Sequence, residues 1–225
     1  MIEPQLLIEH WGQPEGVNGI PSIRDINESI EGSDLSPGLY ISGVFMQAEV
    51  VNRNKRLYPK PVLDYAVSNY IREQVKTKQA LGELNHPPRA NVDPMQAAIL
   101  IEKLWWEGNN VCGIARIIEG DNGPGDKLAA NIRAGWIPGV SSRGLGSLKK
   151  SKGSDYSIVQ EGFRLTVGVD AVWGPSAPDA LVQPYLVKES VEKLEVKKNS
   201  ADDSFKKLAK TLQEGINTLK KVPKK

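Results

Sequence analysis

The sequence has few of the residues that build disulfide frameworks and metal centres. It contains one cysteine, Cys112, and two histidines, His10 and His86, among 225 residues. A single cysteine excludes an internal disulfide and is compatible with a reducing compartment. The two histidines lie far apart, and neither HExxH nor CxxC spacing occurs, which disfavours metal-dependent hydrolysis. We therefore expect neither a metal nor an organic cofactor.

Long apolar runs are also missing. No stretch approaches the roughly 18 residues that a membrane-spanning helix needs, and residues 1–4 do not begin a signal peptide. We expect a soluble, intracellular protein with no membrane partner. The glycine-rich segment 120–125 lacks the residue order of a phosphate-binding loop, and the pair Trp105 and Trp106 is more typical of core packing than of base stacking. No specific nucleic-acid partner is expected.

Charge and chain breakers are distributed unevenly. The net charge is +2, yet residues 188–225 contain eleven lysines and six acidic residues, which leaves the preceding 187 residues at −3. Glycine and proline are dense between residues 12 and 38, which is typical of irregular structure. We therefore expect an irregular N-terminal arm at 1–38, a folded domain at 39–187, and a charged linker with an amphipathic basic tail at 188–225.

Periodicity predicts the elements of the folded domain. Runs of β-branched and apolar residues predict strands at 39–51, 97–106, 111–118, 139–147 and 163–173, of which the second and third flank a short turn as a hairpin. Helical spacing predicts a helix at 61–78 and a short one that begins with Asp126 as its cap and ends at Gly135. In the last strand, alternation puts Asp170 on the polar face rather than the core face.

Two segments contain residues suited to nucleophilic catalysis. Residues 83–88, ELNHPP, place His86 just after a predicted helix-to-loop junction, and residues 138–144, PGVSSRG, place two serines in a glycine-flanked strand. Histidine changes protonation near neutral pH, so it can remove the proton of a serine hydroxyl. The prolines after His86 stiffen its backbone. The alternative is a histidine that only packs or caps within a loop.

Either Ser141 or Ser142 is the candidate nucleophile, and only one of them can face His86, because adjacent strand residues point to opposite faces. The alternative is an ordinary strand serine. Asp170 is the candidate that orients the imidazole. Its alternatives are a solvated strand carboxylate or an ion-pair partner of a nearby arginine, namely Arg143 or Arg164.

Two further assignments concern the reaction itself. The backbone amides near Arg143 and Gly144 are candidate donors to the oxyanion. Glycines in this strand would permit close substrate approach, or they mark simple bends. Cys112 is a second possible nucleophile, but a lone strand cysteine is more often a small buried hydrophobe.

Three long segments, 47–59, 80–91 and 132–146, together closely resemble the prohead core proteases of T-even-type tailed phages, and the similarity runs from about Pro4 to Pro184. The resemblance implies an α/β (α+β) fold with an antiparallel β-barrel-like core and flanking helices, like that of the herpesvirus assemblin proteases. It implies a serine endopeptidase in which His86 and Ser141 match the catalytic motifs, whereas Ser142 has no such match. Asp170 is inferred from its strand position together with the resemblance.

The resemblance also implies where the enzyme acts. It would be packaged in the immature capsid within the host cytoplasm, activate itself, and digest scaffold or core proteins and the propeptides of the major capsid protein. Self-association in the prohead core is a further expectation. The rival interpretation is a structural core component that uses the same fold and cuts nothing.

The family favours cleavage after a glutamate that is preceded two positions earlier by Leu or Ile and followed by a small residue. Residues 212–215, LQEG, and 117–120, IIEG, fit this pattern. We expect self-processing between Glu214 and Gly215, because the other match lies in or beside structured backbone and a protease needs an accessible segment. The basic tail either docks onto acidic scaffold or is a solvated, frayed end, and we favour docking.

Overall fold

The computed structural model describes residues 5–10, 35–172 and 182–187. The chain divides into two compact units, residues 1–187 and 188–225, and every described residue belongs to the first. The described strands are β1 (Gln5–His10), β2 (Gly38–Gln47), β3 (Arg56–Leu57), β4 (Leu81–Glu83), β5 (Ala97–Glu107), β6 (Asn110–Ile117), β7 (Gly139–Gly146), β8 (Leu148–Lys150), β9 (Ser157–Val159), β10 (Arg164–Val172) and β11 (Gln183–Val187). The α-helices are α1 (Lys60–Tyr70) and α2 (Pro124–Arg133), with a π-helical turn at Ile71–Val75 and a 3₁₀ turn at Pro94–Gln96.

The described strands form three sheets. A five-stranded sheet has the order β11-β2-β6-β5-β4, and two three-stranded sheets have the orders β1-β7-β10 and β3-β9-β8. Neighbouring strands run antiparallel except β3 and β9, which are parallel. The predicted mixed α+β fold with mostly antiparallel strands is confirmed. The described sheets keep open edges and do not close into a barrel, and the likeness to herpesvirus assemblins stays a prediction.

Helix α1 forms where the spacing predicts it and packs one face into the core. Proline stands in its first turn, where a missing N–H removes no hydrogen bond. The predicted helix at 61–78 is α-helical only to Tyr70, because the next five residues form the π-helical turn. The buried face of α1 consists of Leu63, Ala66, Val67 and Tyr70. Among the described helices, none is long and apolar enough to cross a membrane.

The prediction of an irregular arm at residues 1–38 is wrong for its first described segment. Residues 5–10 form β1 and pair antiparallel with β7 in the register Leu7 to Gly144 and His10 to Ser141. Leu7 is buried. A run of three apolar residues is too short to give a periodic signal, and its partner strand is distant in the chain, so pairing decides the structure here. Residues 11–34, which contain most of the chain breakers, lie outside the described residues.

The start of α2 also differs from prediction. Gly123, rather than Asp126, occupies the cap position. Asp121 supplies the capping oxygens, since its carboxylate accepts hydrogen bonds from the amides of Gly123 at 2.8 Å, Gly125 at 3.0 Å and Asp126 at 3.1 Å. Desolvation raises the pKa of Asp121, but these backbone hydrogen bonds outweigh it and hold the pKa below its usual value. A loop carboxylate just before the helix therefore takes the role predicted for Asp126.

The segment just before His86, which consists of β4 and Leu84, lies against β10. Predicted as a junction from helix to loop, this segment pairs with β5 on one side. On the other side, Leu84 forms a bridge to Ala171, and the amide of Asn85 donates to the Ala171 carbonyl at 2.8 Å. Gly82 allows the close approach, because a Cβ at this position would lie 2.0 Å from the carbonyl oxygen of Val169. The histidine loop therefore leaves the sheet next to Asp170.

Candidate active site

Ser141 lies near the beginning of β7, the central strand of its sheet. Its Cα partners are His10 on β1 and Asp170 on β10. The residue is fully buried, at 0% relative exposure. Alternation along the strand directs the neighbouring Ser142 to the opposite face. The sheet register thus places the Ser141 hydroxyl on the side of β7 where Asp170 and the loop after β4 meet.

His86 connects Ser141 to Asp170. Its Nε2 lies 3.3 Å from the Ser141 Oγ, and its Nδ1 lies 3.0 Å from the Asp170 Oδ2. The tautomer that satisfies both contacts carries its proton on Nδ1, donates to the carboxylate, and accepts from the serine hydroxyl. The serine contact is longer than an ordinary O–H···N bond, as is common before substrate binds. The arrangement can activate a serine for attack on a carbonyl.

Asp170 is buried rather than solvated, which corrects the prediction of a polar strand face. The carboxylate has 0% exposure and accepts four hydrogen bonds within the protein. The antiparallel register of β10 shifts between Val167 and Asp170, so simple alternation does not carry through the strand. Of the two arginines considered as ion-pair partners, the structure pairs Asp170 with Arg143, whose Nε lies 2.7 Å from Oδ2.

Arg143 is a member of the site whose side chain the sequence analysis considered only as a possible ion-pair partner of Asp170. The guanidinium is fully buried and binds both Asp170 oxygens, from Nε to Oδ2 at 2.7 Å and from Nη2 to Oδ1 at 2.9 Å. Its Nη1 donates to the carbonyls of Arg89 at 2.9 Å and Asn91 at 3.1 Å. A usable signal was present, because residues two apart on a strand share a face, and Arg143 follows Ser141 by two.

Glu83 is a second buried charge that the sequence did not indicate. It is 2% exposed, and its Oε1 lies 3.3 Å from the Arg143 Nη2. Its carboxylate also accepts from Arg89 at 2.7 Å and from the amide of Asp93 at 2.7 Å. The Glu83 amide donates to the Asp170 Oδ1 at 2.8 Å. Side chain and backbone of one residue therefore contact both members of the buried ion pair.

Comparison with known proteins identifies the family. A family model described as "Prohead core protein serine protease" matches residues 6–192. The chain belongs to this family. The resemblance seen in the sequence is confirmed, and family membership makes the protein a peptidase. The chain is 66% identical over 219 residues to the "Prohead core protein protease" of Enterobacteria phage T4, and the match covers 96% of this chain and 100% of the relative.

A solved structure agrees with the family assignment. The bacteriophage T4 capsid assembly protease, gp21, is 70% identical to this prohead core protease and superimposes with a TM-score of 0.66. The match covers 77% of this chain and 100% of the solved chain. The mixed α+β fold with mostly antiparallel sheets is therefore shared with gp21.

The two predicted oxyanion donors lie where their backbone amides cannot easily face a substrate. Arg143 and Gly144 are inside β7, between β1 and β10, and the amides of a central strand point along the sheet toward its neighbours. Gly144 has a packing role instead, since a Cβ there would lie 2.4 Å from the Phe163 ring. These positions count against both amides as oxyanion donors.

A cavity of about 520 Å³ adjoins the loop that carries His86. Its walls come from the residues just before His86 and from the end of α2 and the chain beyond it. The apolar walls are Leu84, Ala134 and Trp136, and two amide side chains, Asn85 and Asn131, add hydrogen-bonding groups. A cavity with these walls suits an uncharged, mainly apolar side chain.

Cys112 is the remaining nucleophilic side chain of interest. It is fully buried in β6, and burial, with a smaller effect from the Glu107 carboxylate, raises the pKa of its thiol to about 12. A thiol with so high a pKa stays protonated near neutral pH and is a poor nucleophile. In the part of the chain that the structure describes, no group of three or more His, Cys, Asp or Glu is arranged to hold a metal ion.

Proposed function

We propose that this peptidase is a serine endopeptidase in which Ser141 is the nucleophile, His86 the general base and acid, and Asp170 the residue that orients His86. The supporting observation is the unbroken line of contacts from the Ser141 Oγ through both ring nitrogens of His86 to the Asp170 Oδ2. A nucleophile, a base within hydrogen-bond distance and a group that orients the base are the parts that acyl transfer requires.

The reaction follows from these contacts. The Ser141 Oγ attacks the scissile carbonyl while its proton passes to the His86 Nε2. The imidazolium then protonates the departing amine, the peptide C–N bond breaks, and an acyl-enzyme remains. Water attacks this ester with His86 again as base, which regenerates the free serine. Asp170 stabilises the imidazolium and remains a carboxylate throughout.

We further propose that the full chain is a latent precursor that activates itself. Ser141 has 0% exposure, and the His86 side chain has 9%. A scissile carbonyl cannot reach a fully buried hydroxyl until the covering segments move. Labelling of Ser141 by a fluorophosphonate should therefore be slow in the uncut chain and fast after processing. Equal labelling rates in the two forms would contradict latency.

The natural substrates are proposed to be the scaffold or core proteins and the major capsid protein of the phage, digested within the prohead in the host cytoplasm. The family description and the T4 relative, named for the prohead core, support this assignment. The same proposal includes the cleavage site: the enzyme cuts after a glutamate that has Leu or Ile two positions before it and a small residue after it. It also includes self-association of the enzyme in the prohead core.

Self-processing is proposed between Glu214 and Gly215 in the tail, which lies outside the described residues. The competing match at 117–120 is held in place, since Ile117 is buried at the end of β6 and the amide of Ile118 donates to the Ala98 carbonyl at 2.9 Å. The side chain of Glu119 is bound as well, by an ion pair with Arg133.

Glu214→Gln should block this cut, whereas the matched Glu119→Gln should leave it unchanged. Mass spectrometry of protein that has digested scaffold distinguishes the two variants. An intact C-terminus in active wild-type protein would reject the site.

We also propose that residues 188–225 dock the enzyme onto acidic scaffold, because this segment carries a net charge of +5. Deletion of the segment should abolish capture of the enzyme by scaffold. Undiminished capture would leave the tail as a solvated end.

The decisive experiment for the function compares the two adjacent serines. Processed wild-type protein and Ser142→Ala should take up a fluorophosphonate and cleave a peptide with an Ile-x-Glu-Ala sequence, whereas Ser141→Ala should do neither. Processing of Ser141→Ala has to be supplied in trans by wild-type enzyme, so that all three are compared in the same form. Absence of labelling in processed wild-type protein would favour the rival, a non-catalytic structural component of the prohead core.

A further inference from the structure

We propose that Arg143 is a positioning residue that acts on the reaction through Asp170, and that Glu83 holds Arg143 in place. The inference rests on the proposed function, and it adds the side chains of Arg143 and Glu83 to the residues that act in it. It explains why a fully charged side chain is buried beside the candidate serine. Such burial is rare unless the charge is paired.

The fork between Arg143 and Asp170 fixes the carboxylate in one orientation. Two nearly parallel bonds, from Nε to Oδ2 at 2.7 Å and from Nη2 to Oδ1 at 2.9 Å, prevent rotation of the carboxylate about its Cβ–Cγ bond. In this orientation Oδ2 lies 3.0 Å from the His86 Nδ1. The amide of Glu83 adds a bond to Oδ1 at 2.8 Å. The direction in which Asp170 meets the imidazole is therefore set by the guanidinium.

The same guanidinium also holds the loop that carries the base. Its Nη1 donates to the carbonyls of Arg89 at 2.9 Å and Asn91 at 3.1 Å, both of which follow His86 in the chain. One side chain thus binds the carboxylate and the backbone of the imidazole's loop. Both partners of the bond between His86 and Asp170 are fixed relative to each other through Arg143.

Charge gives the arrangement a chemical role in addition to a geometric one. Asp170 and Arg143 are both fully buried, so each charge is compensated by the other within the protein. The Arg143 Nε and the His86 Nδ1 share one oxygen of Asp170. A permanent positive charge at that oxygen opposes transfer of the imidazole proton onto the carboxylate, so the proton stays on Nδ1 during catalysis.

Glu83 completes a line of alternating charges that reaches the surface. Its carboxylate lies 3.3 Å from the Arg143 Nη2 on one side and 2.7 Å from Arg89, which is 42% exposed, on the other. During the proposed reaction the Asp170 carboxylate faces two positive charges, the Arg143 guanidinium and the His86 imidazolium. Glu83 supplies the second negative charge that balances them. Lysine cannot replace Arg143 here, because one ammonium group cannot bind both Asp170 oxygens and two backbone carbonyls in a planar fork.

The test compares substitutions at Arg143 with the same substitutions at Arg164, an exposed arginine at the start of β10. In processed enzyme, Arg143→Lys should lower kcat by about 10- to 100-fold with KM within about twofold, because a small misplacement of the base has effects of this size. Arg143→Gln should lower kcat further. Arg164→Lys and Arg164→Gln should keep both constants within about twofold. Arg143→Lys with an unchanged kcat would overturn the inference.

A double-mutant cycle asks whether Arg143 acts through Asp170. Arg143→Gln should reduce kcat by a much smaller factor in Asp170→Asn than in the wild-type background, because the carboxylate through which it acts is already altered. The remaining loss would come from its bonds to the Arg89 and Asn91 carbonyls. The double variant also removes the buried Asp170–Arg143 pair as a unit and leaves Glu83 paired with Arg89, so it should fold even where Arg143→Gln alone does not. Losses that multiply would show that Arg143 works independently of Asp170 and would overturn the inference.

A spectroscopic measurement separates this inference from the proposed function. The chain has two histidines, so the His10→Gln variant assigns the downfield proton resonance of the His86 Nδ1–H in an inactive Ser141→Ala background. Arg143→Lys should shift this resonance, and Arg143→Gln should abolish it, while both Arg164 variants leave it in place. A resonance that is unchanged by Arg143→Lys would overturn the inference, whereas cleavage retained by Ser141→Ala would overturn the proposed function alone.

Discussion

The Nε2 of His86 and the Oγ of Ser141 lie 3.3 Å apart, although 55 residues separate them in the chain. The contact joins a loop that follows an edge strand of the five-stranded sheet to the central strand of another sheet. Their approach depends on β4 lying against β10, where the Asn85 amide bonds to the Ala171 carbonyl at 2.8 Å. Changes that leave both side chains intact but separate these strands should therefore impair the proposed reaction.

Asp170→Asn should lower kcat by up to about 10⁴-fold, the loss seen when the carboxylate of a serine triad becomes an amide. An asparagine amide can donate to the imidazole, which favours the tautomer that cannot accept the serine proton. Steady-state cleavage by processed enzyme measures the effect, with Asp93→Asn as the control because that carboxylate is 45% exposed. A kcat within tenfold of wild type would remove Asp170 from the proposed mechanism.

Gly82→Ala should lower both stability and activity. The new methyl group would lie 2.0 Å from the Val169 carbonyl oxygen, so β4 must move away from β10 and carry the His86 loop with it. We expect a loss of about 1–3 kcal/mol in the free energy of unfolding, typical of overpacking. Urea denaturation and kcat measure the two effects.

The matched control is Gly43→Ala, because a Cβ on this strand glycine meets Val182 at 3.2 Å, a contact that small adjustments can relieve. If Gly82→Ala reduces stability but leaves kcat of the folded fraction unchanged, the contact of β4 with β10 does not position His86.

The sequence was enough to identify the two side chains of the proposed proton transfer, His86 and Ser141. It did not predict the buried charges around them. His86 and Ser141 lie in motifs with recognisable local chemistry, and the strands around them have clear apolar patterns. The burial of Asp170 was not predictable from alternation, since a register shift in β10 follows from pairing with β7 and not from local sequence. The role of Glu83 could not be predicted from local sequence either, because its three side-chain contacts arise only in the folded protein.

Strand β1 shows the corresponding limit for the fold. Its apolar run is short, and its place in a sheet depends on hydrogen bonds to β7, far along the chain. Local propensity is a weak guide to so short a segment, because a strand is stabilised mainly by packing against its partner strand. Arg143 was considered only as a possible ion-pair partner of Asp170, yet its place beside Ser141 had a readable signal, since it lies two positions away on a strand that was itself predicted correctly.

Cys112 should be unreactive in the native protein. Its thiol pKa of about 12 leaves almost no thiolate near pH 8, and the side chain is fully buried. Iodoacetamide should label the protein only after denaturation, and Cys112→Ala should retain kcat within about twofold. Rapid labelling of native protein with loss of cleavage would instead indicate a cysteine nucleophile.

Stability should decline in alkaline solution through Tyr70. Burial raises the pKa of this phenol above its usual value of 10.0, so the unfolded chain releases the proton at lower pH than the folded protein. The corresponding stabilisation is complete below about pH 9 and falls as the pH rises past 10. Urea denaturation between pH 8 and 11 should show a smaller decline in Tyr70→Phe than in wild type. An equal decline in both proteins would assign the effect to other groups.

Trp136→Ala should weaken the selection of an apolar side chain in the substrate. The cavity between Leu84 and Trp136 adjoins the loop of His86, which places it where residues near the scissile bond would bind. If it holds the Leu or Ile two positions before the cleaved glutamate, wild-type enzyme should prefer a leucine peptide over its alanine counterpart by about 30-fold in kcat/KM, the effect of burying that side chain.

In Trp136→Ala the preference for the leucine peptide over the alanine peptide should fall to a few-fold in kcat/KM. The fall should come from a higher KM for the leucine peptide, while kcat for either peptide changes little. The control is Ile137→Ala, which alters the adjacent residue, 39% exposed and outside the cavity walls, and should keep the wild-type preference. The two variants differ only in which neighbouring side chain is shortened, so a general disturbance of this segment would affect both. A preference that survives Trp136→Ala would place the selecting pocket elsewhere.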